Sequence, residues 1–118
     1  MMKIYIYAKC STCRNALKWL DAKGLKYQSL AIRETPPPTE ELEAMLGFYD
    51  GDIRKLFNTS GMDYRALKLK DRLPNMSQSE ALELLASNGN LVKRPFLLNA
   101  EMGLVGFREA IWEETFSS

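Results

Sequence analysis

The stretch KIYIYAKCSTCRNALKWL, residues 3–20, decides the fold of this chain. Residues 3–8 alternate along a run rich in β-branched and aromatic side chains, which is typical of a buried strand. Ser11 or Thr12 can then cap a helix, whose apolar residues recur at helical spacing until a glycine ends the run. The stretch therefore predicts a strand followed directly by a helix over residues 12–23.

The next segments extend this beginning into a β-α-β unit and a helical region. Strand-like alternation resumes over residues 25–32, so the two strands should be parallel, with a right-handed crossover. The prolines at 36–38 stop regular structure, and Thr39 is expected to cap a helix that ends near Leu46. The Ser-x-x-Glu capping box at 77–80 predicts another helix.

The C-terminal segments complete an α/β layered domain. Residues 96–99 and 103–107 flank three residues, a spacing suited to a β-hairpin, and a last helix should cover 108–116. The order of elements predicts a mixed four-stranded sheet with an inserted helical region over about residues 36–90. Because the chain has 118 residues, we expect one domain over 1–118.

Composition excludes several functional classes. The 16 basic and 15 acidic residues nearly cancel, so direct nucleic-acid binding is not expected. The first residues contain neither a signal peptide nor a membrane-spanning apolar run, which predicts a cytoplasmic protein that does not bind membranes. The chain has no histidine and two cysteines, so catalysis by Cys-His pairs and a metal site are not expected.

The two cysteines form a C-x-x-C motif at the junction of strand and helix. At this place the positive end of the helix favours the Cys10 thiolate, and Arg14 adds a cation one turn into the helix. Cys13 lies one helical turn on and could serve as the resolving thiol. The alternative is that both cysteines are small core residues.

Four segments resemble the ArsC/Spx/YffB family of arsenate reductase-like proteins. They are KCSTCRNALKWL at 9–20, the triple proline, LFNTSGMDYRAL at 56–67, and KRPFLL with GLVGF within 93–107. The resemblance covers nearly the whole chain and implies a thioredoxin-like fold with an all-α insertion.

The resemblance also implies roles for individual residues. Cys10 takes the place of the nucleophile, Arg94 that of an oxyanion-binding arginine, and Arg54 aligns more loosely with a second one. Together with Arg14 they are the expected oxyanion-binding residues, and Pro95 would be the cis-proline of the fold. Planar guanidinium groups suit tetrahedral oxyanions, and their charge would hold a nearby thiol ionised.

Two departures from the arsenate reductases bear on function. Gly106-Phe107 stands where those enzymes carry a third arginine, and Arg108 is offset from the matching position. Cys13 stands where they carry a serine, and it resembles the C-x-x-C of Spx-type regulators.

Two main functions follow as hypotheses. The first is a thiol oxidoreductase without bound cofactor, in which Cys10 attacks an oxyanion, a disulfide or a glutathione adduct, with glutathione, thioredoxin or glutaredoxin as electron donor. The alternative is an Spx-like redox-sensing regulator that binds RNA polymerase, switched by a Cys10-Cys13 disulfide. Gly51 falls near the loop that such regulators use, or is simply a turn residue. A binding role without thiol chemistry is the third possibility.

Overall fold

The computed structural model describes residues 2–117 and shows a four-stranded mixed sheet of order β2-β1-β3-β4. β1 pairs parallel with β2 and antiparallel with β3, and β3 and β4 form an antiparallel hairpin. The sequence predicts the mixed four-stranded sheet, the parallel first pair and the hairpin, and the structure adds the strand order. The strands are β1 (Met2–Ile6), β2 (Tyr27–Ala31), β3 (Phe96–Leu98) and β4 (Gly103–Val105).

Six α-helices surround this sheet in the described part of the chain. They are α1 (Ser11–Ala22), α2 (Thr39–Phe48), α3 (Met62–Ala66), α4 (Leu69–Arg72), α5 (Gln78–Ser87) and α6 (Glu109–Ser117). Short 3₁₀ turns occupy Ile53–Leu56, Leu73–Asn75 and Gly89–Leu91. Within residues 2–117, no helix is long and apolar enough to cross a lipid bilayer.

The central strand β1 divides the core into two layers. Ile4 packs with Leu20 and Trp112, so α1 and α6 cover one face of the sheet. Tyr5 points to the other face and packs among residues of the helical region, including Leu42. This alternation follows from the period-two geometry of a strand.

Two contacts fix the helical region against the sheet. The Tyr5 hydroxyl donates to Glu41 Oε1 at 2.6 Å, and Lys3 Nζ donates to Glu41 Oε2 at 2.8 Å, which ties α2 to β1. Gly89 lies against the chain after β2, where a Cβ atom would stand 1.8 Å from the carbonyl oxygen of Ile32. A side chain at that position would therefore force the two backbones apart.

The structure corrects the predicted helix beginnings. Cys10, in extended conformation, is the N-cap of α1, and neither Ser11 nor Thr12 caps it. Thr39 is the first residue of α2, whose N-cap is Pro38. In both cases the cap is the last residue with extended backbone, and residue type alone did not locate that point.

The other boundaries move by a few residues, and two α-helices were not predicted. The strands are shorter than their alternating patterns, because pairing ends where the neighbouring strand ends. α3 and α4 have only five and four residues, too few to show a helical period. Their buried Tyr64 and Leu69 hold them on the core.

Candidate functional site

The site begins at the N-terminus of α1, where Cys10 caps the helix. The backbone N–H of Cys10 donates to the Tyr7 carbonyl at 3.0 Å, which fixes the turn out of β1. Cys10 Sγ then accepts a hydrogen bond from the backbone N–H of Cys13 at 3.4 Å. The sulfur therefore occupies the place that a hydroxyl or carboxylate oxygen takes at most helix caps.

Several opposing influences set the pKa of the Cys10 thiol. Burial is the largest of them and acts to raise this pKa. Hydrogen bonds from the backbone and thiol of Cys13, the positive charge of Arg94 and the backbone of Thr12 outweigh it and lower the pKa below its ordinary value. Each of these groups stabilises a negative charge on sulfur. Cys10 is thus the thiol that ionises first.

Cys13 has the opposite character. Its side chain is fully buried, and this burial raises the pKa of the Cys13 thiol to about 12. A backbone hydrogen bond from Tyr7 acts against the rise, whereas the hydrogen bond to Cys10 and the charge on Cys10 add to it. Both cysteines are free. Of the pair, Cys10 is therefore the thiol that ionises more readily, and Cys13 is the neutral thiol that donates to it.

A groove of about 880 Å³ opens from Cys10 and carries a positive charge. Five basic residues and one acidic residue, Asp52, line it. The basic residues are Arg54, Lys55, Lys93, Arg94 and Arg108. The polar segment Asn58, Thr59 and Ser60 also lines the groove. Concentrated charge of one sign in a groove attracts ligands of the other sign, so the groove favours an anion.

Arg94 is the basic residue of the groove whose charge acts on the Cys10 thiol. Its guanidinium Cζ lies 5.0 Å from the centre of the Tyr7 ring. Its Nη1 atom is buried and has no hydrogen-bond acceptor among residues 2–117. A buried donor without an acceptor costs about 1–3 kcal/mol, so an anion bound here would gain by satisfying it. The peptide bond between Arg94 and Pro95 is cis, as the resemblance implied.

Residues 5–115 match the ArsC family. The chain belongs to the ArsC family. It is 47% identical over 116 residues to the uncharacterized protein YusI of Bacillus subtilis (strain 168), covering 98% of each chain. A solved structure described as a possible arsenate reductase from Streptococcus mutans UA159 is 41% identical, covers 98% of both chains and superposes with a TM-score of 0.89. The thioredoxin-like fold implied by the resemblance is therefore confirmed.

The relatives of this chain also include regulators. The global transcriptional regulator Spx of Streptococcus agalactiae serotype V (strain ATCC BAA-611 / 2603 V/R) is 26% identical over 109 residues. That match covers 92% of this chain and 78% of the regulator. Membership of the ArsC family thus fits both of the main functions predicted from the sequence.

The structure brings together most of the site residues predicted for this ArsC-family chain. Cys10, Cys13 and Arg94 interact, and Arg54 lines the groove. Arg14 does not line the groove in the described part of the chain, and its Nη1 donates to the Ala8 carbonyl at 3.0 Å. The role assigned to Arg14 therefore receives no support from its position.

Sequence reasoning missed four residues of the site. Lys93 had a signal, because it directly precedes Arg94 in the Lys-Arg-Pro segment. Lys55 and Arg108 line the groove although no local pattern marks them, and Arg108 does so despite its offset from the family position. Tyr7, which contacts Arg94, looked like one more alternating strand residue.

Proposed function

We propose that this ArsC-family chain is a thiol-dependent reductase whose nucleophile is the Cys10 thiolate and whose resolving thiol is Cys13. The observation that supports the proposal most is the position of the Cys10 thiolate, at a helix cap that opens onto a basic groove. A thiolate in such surroundings attacks disulfides and other electrophiles, whereas a buried neutral thiol is inert. A cytoplasmic location, where thiols stay reduced, fits this chemistry.

In the first step, the Cys10 sulfur attacks one sulfur of a substrate disulfide bound in the groove. A bond forms between Cys10 Sγ and that sulfur while the substrate S–S bond breaks, and its electron pair leaves on the released thiolate. That thiolate takes a proton from solvent. The substrate is then attached to Cys10 as a mixed disulfide.

In the second step, Cys13 resolves this intermediate. Once Cys10 is in a disulfide it carries no negative charge, which removes one of the causes that raise the pKa of the Cys13 thiol. Cys13 can then lose its proton to solvent and attack Cys10 Sγ, which forms the Cys10-Cys13 disulfide and expels the substrate thiolate. Two electrons from a dithiol of the thioredoxin or glutaredoxin type, or from two glutathione molecules, restore the thiols.

The dimensions of the groove favour a substrate larger than a simple oxyanion. Pockets of roughly 300–1,000 Å³ hold ligands of many atoms, and this groove has about 880 Å³. Its five basic residues are also more than one tetrahedral oxyanion needs. A glutathione adduct, with two carboxylates and a disulfide, matches both the charge and the volume of the groove. An oxyanion such as arsenate is the smaller alternative at the same thiolate.

The experiment is the reduction of a glutathione mixed disulfide and of arsenate side by side, with glutathione, thioredoxin or glutaredoxin as donor. We expect turnover of the mixed disulfide, its loss in Cys10→Ser, and accumulation of a Cys10 adduct in Cys13→Ser. Mass spectrometry identifies that adduct by its mass. Absence of turnover with both substrates and all donors would contradict the proposal.

A matched pair of arginine variants tests how the substrate anion binds. Bound arsenate or sulfate should protect Cys10 against alkylation. Arg94→Ala should weaken this protection more than Arg54→Ala does, because the charge of Arg94 also stabilises the Cys10 thiolate. Both variants are compared with wild type in protection and in melting temperature. Equal protection in wild type and Arg94→Ala would mean that Arg94 does not bind the anion.

The second candidate function is an Spx-like regulator that binds RNA polymerase. The C-x-x-C motif and the 26% identity to Spx favour it. Gly51 is exposed and has a left-handed φ of +82°, so it suits a tight turn at the surface. In this function the Cys10-Cys13 disulfide would change a binding surface instead of turning over substrate. Co-purification with RNA polymerase that depends on oxidation, without reductase turnover, would favour it.

A further inference from the structure

Tyr7 lies between β1 and the turn that leads to Cys10, and two arginines contact its ring. The Cζ atoms of Arg94 and Arg33 each lie 5.0 Å from the ring centre. Arg33 Nη1 also donates a hydrogen bond to the Tyr7 hydroxyl at 3.1 Å. The ring is therefore fixed at its hydroxyl by one arginine and in contact with a second arginine that belongs to the groove.

The backbone of Tyr7 contacts both halves of the thiol pair. Its carbonyl accepts the N–H of Cys10 at 3.0 Å, and its backbone also forms a hydrogen bond to the Cys13 sulfur. A single residue thus links the helix cap, the resolving thiol and the arginine that faces them. Tyr7 does not line the groove in the described part of the chain, so its side chain can act on substrate only through another residue.

We propose that Tyr7 is a positioning residue, whose ring holds the Arg94 guanidinium beside Cys10 and thereby sets the reactivity of that thiol. The inference rests on the proposed function, in which Cys10 is the nucleophile.

The physical basis is the contact between a guanidinium and the face of an aromatic ring. A ring face attracts a cation through its quadrupole, and a planar guanidinium stacks on it well. The buried Arg94 Nη1 has no hydrogen-bond acceptor among residues 2–117, so the ring is a contact that offsets part of its burial. Without the ring, Arg94 is free to extend into solvent along the groove, away from the sulfur.

The test is the pH profile of iodoacetamide alkylation at Cys10 in Tyr7→Leu and Tyr7→Phe. Tyr7→Leu removes the ring, so its Cys10 profile should move to higher pH, with a rate at about pH 6 that is roughly threefold to tenfold lower. Tyr7→Phe keeps the ring and loses only the hydrogen bond to Arg33, so its profile should match wild type. A wild-type profile in Tyr7→Leu, or equal shifts in both variants, would overturn the proposal.

A double-mutant comparison shows whether Tyr7 acts through Arg94. Arg94→Met should shift the profile by itself, and adding Tyr7→Leu to it should cause no further shift. An undiminished effect of Tyr7→Leu in the Arg94→Met background would overturn the proposal. If Tyr7→Leu does not stay folded, Tyr7→Met takes its place, because the flexible methionine side chain adapts better to the space left by the ring.

Alkylation needs no substrate, so this result is independent of the reductase assay. A chain without turnover in which Tyr7→Leu still shifts the profile through Arg94 would refute the proposed function and leave the role of Tyr7 intact.

Discussion

Two helix N-termini in this molecule have the same geometry and opposite chemistry. Cys10 at α1 and Ser77 at α5 are both extended N-caps whose side chains accept the N–H three residues on, at 3.4 and 3.1 Å. At α5 the Glu80 carboxylate accepts a hydrogen bond from the Ser77 N–H at 3.0 Å, which completes a capping box. At α1 the cap N–H donates to the Tyr7 carbonyl, and the first turn carries no acidic residue.

The difference shows how an N-cap residue, which ordinarily stabilises a helix, can become a reactive nucleophile. Glu80 supplies the negative charge that the positive end of α5 attracts, so Ser77 needs to provide only a neutral acceptor. α1 lacks such a carboxylate and has Arg94 nearby, so the favoured negative charge is that of the cap sulfur itself. The chemistry of the site thus depends on the charges around the cap more than on the cap geometry.

The largest expected effect comes from replacing the α1 cap by the residue type found at α5. Cys10→Ser should lower reductase turnover by about a thousandfold or more, because the nucleophile is lost. Its free energy of unfolding at neutral pH should stay within about 1 kcal/mol of wild type, because serine is a good N-cap. Turnover assays and urea unfolding measure the two quantities. Retained turnover would show that Cys10 is not the nucleophile.

The next effect concerns the dependence of stability on alkaline pH. The pKa of the Cys13 thiol rises from an ordinary 9.0 to about 12 on folding, so the unfolded chain loses this proton first. The Cys13 proton therefore contributes to the free energy of unfolding below the pKa of this thiol in the unfolded chain. The contribution is lost as pH rises toward the pKa in the folded chain, by up to about 1.4 kcal/mol per pH unit. Cys10, whose pKa is lowered, has the opposite sign: its contribution is present above its unfolded pKa and is lost as pH falls.

Urea unfolding of wild type and Cys13→Ser across this alkaline range isolates the Cys13 contribution. Wild type should lose stability relative to Cys13→Ser as pH rises, since other titrating groups are common to both chains. Parallel curves for the two chains would mean that the Cys13 proton is not held by folding.

A graft sharpens the comparison between the caps. Ser77→Cys, made in a chain that also carries Cys10→Ser and Cys13→Ser, places a single thiol at the N-cap of α5, where Glu80 lies in the first turn. At about pH 6 this thiol should be alkylated at a rate about tenfold lower, or lower still, than that of Cys10 in Cys13→Ser. Equal rates would show that a helix N-terminus suffices by itself and that Arg94 adds nothing.

The smallest effect is on the conventional cap. Ser77→Ala should lower the free energy of unfolding by about 1 kcal/mol, because the Glu80 N–H loses its acceptor. Ser79→Ala, at an exposed position in the same helix, is the matched control and should change little. Cys10 alkylation should be unchanged in both variants. A change in that rate for Ser77→Ala would mean that the two helix ends are coupled.

The sequence predicts the elements whose signals are local. The alternation of β1, the helical spacing of α1 and the Ser77-Glu80 capping box each depend on neighbouring residues, and the structure has all three. α3 and α4 are held by contacts with residues distant in sequence, and no local pattern marks elements this short.

The site divides in the same way. Cys10, Cys13 and Arg94 stand in motifs that can be recognised, whereas a side chain's direction depends on packing. Arg14 directly follows the C-x-x-C motif, and yet its side chain donates a hydrogen bond to the Ala8 carbonyl and does not line the groove in the described part of the chain. Arg108 is displaced from the family position and yet lines the groove. The single-domain organisation and the role of each site residue remain predictions.

The central claim is that Cys10 is the ionised thiol of the pair and Cys13 the neutral one. Iodoacetamide alkylation of the reduced chain across a pH series, with each cysteine followed by peptide mass spectrometry, tests it directly. Cys10 should react with a midpoint below that of an ordinary cysteine, while Cys13 should stay unmodified until strongly alkaline pH. Equal rates and a shared midpoint at the two cysteines would contradict it.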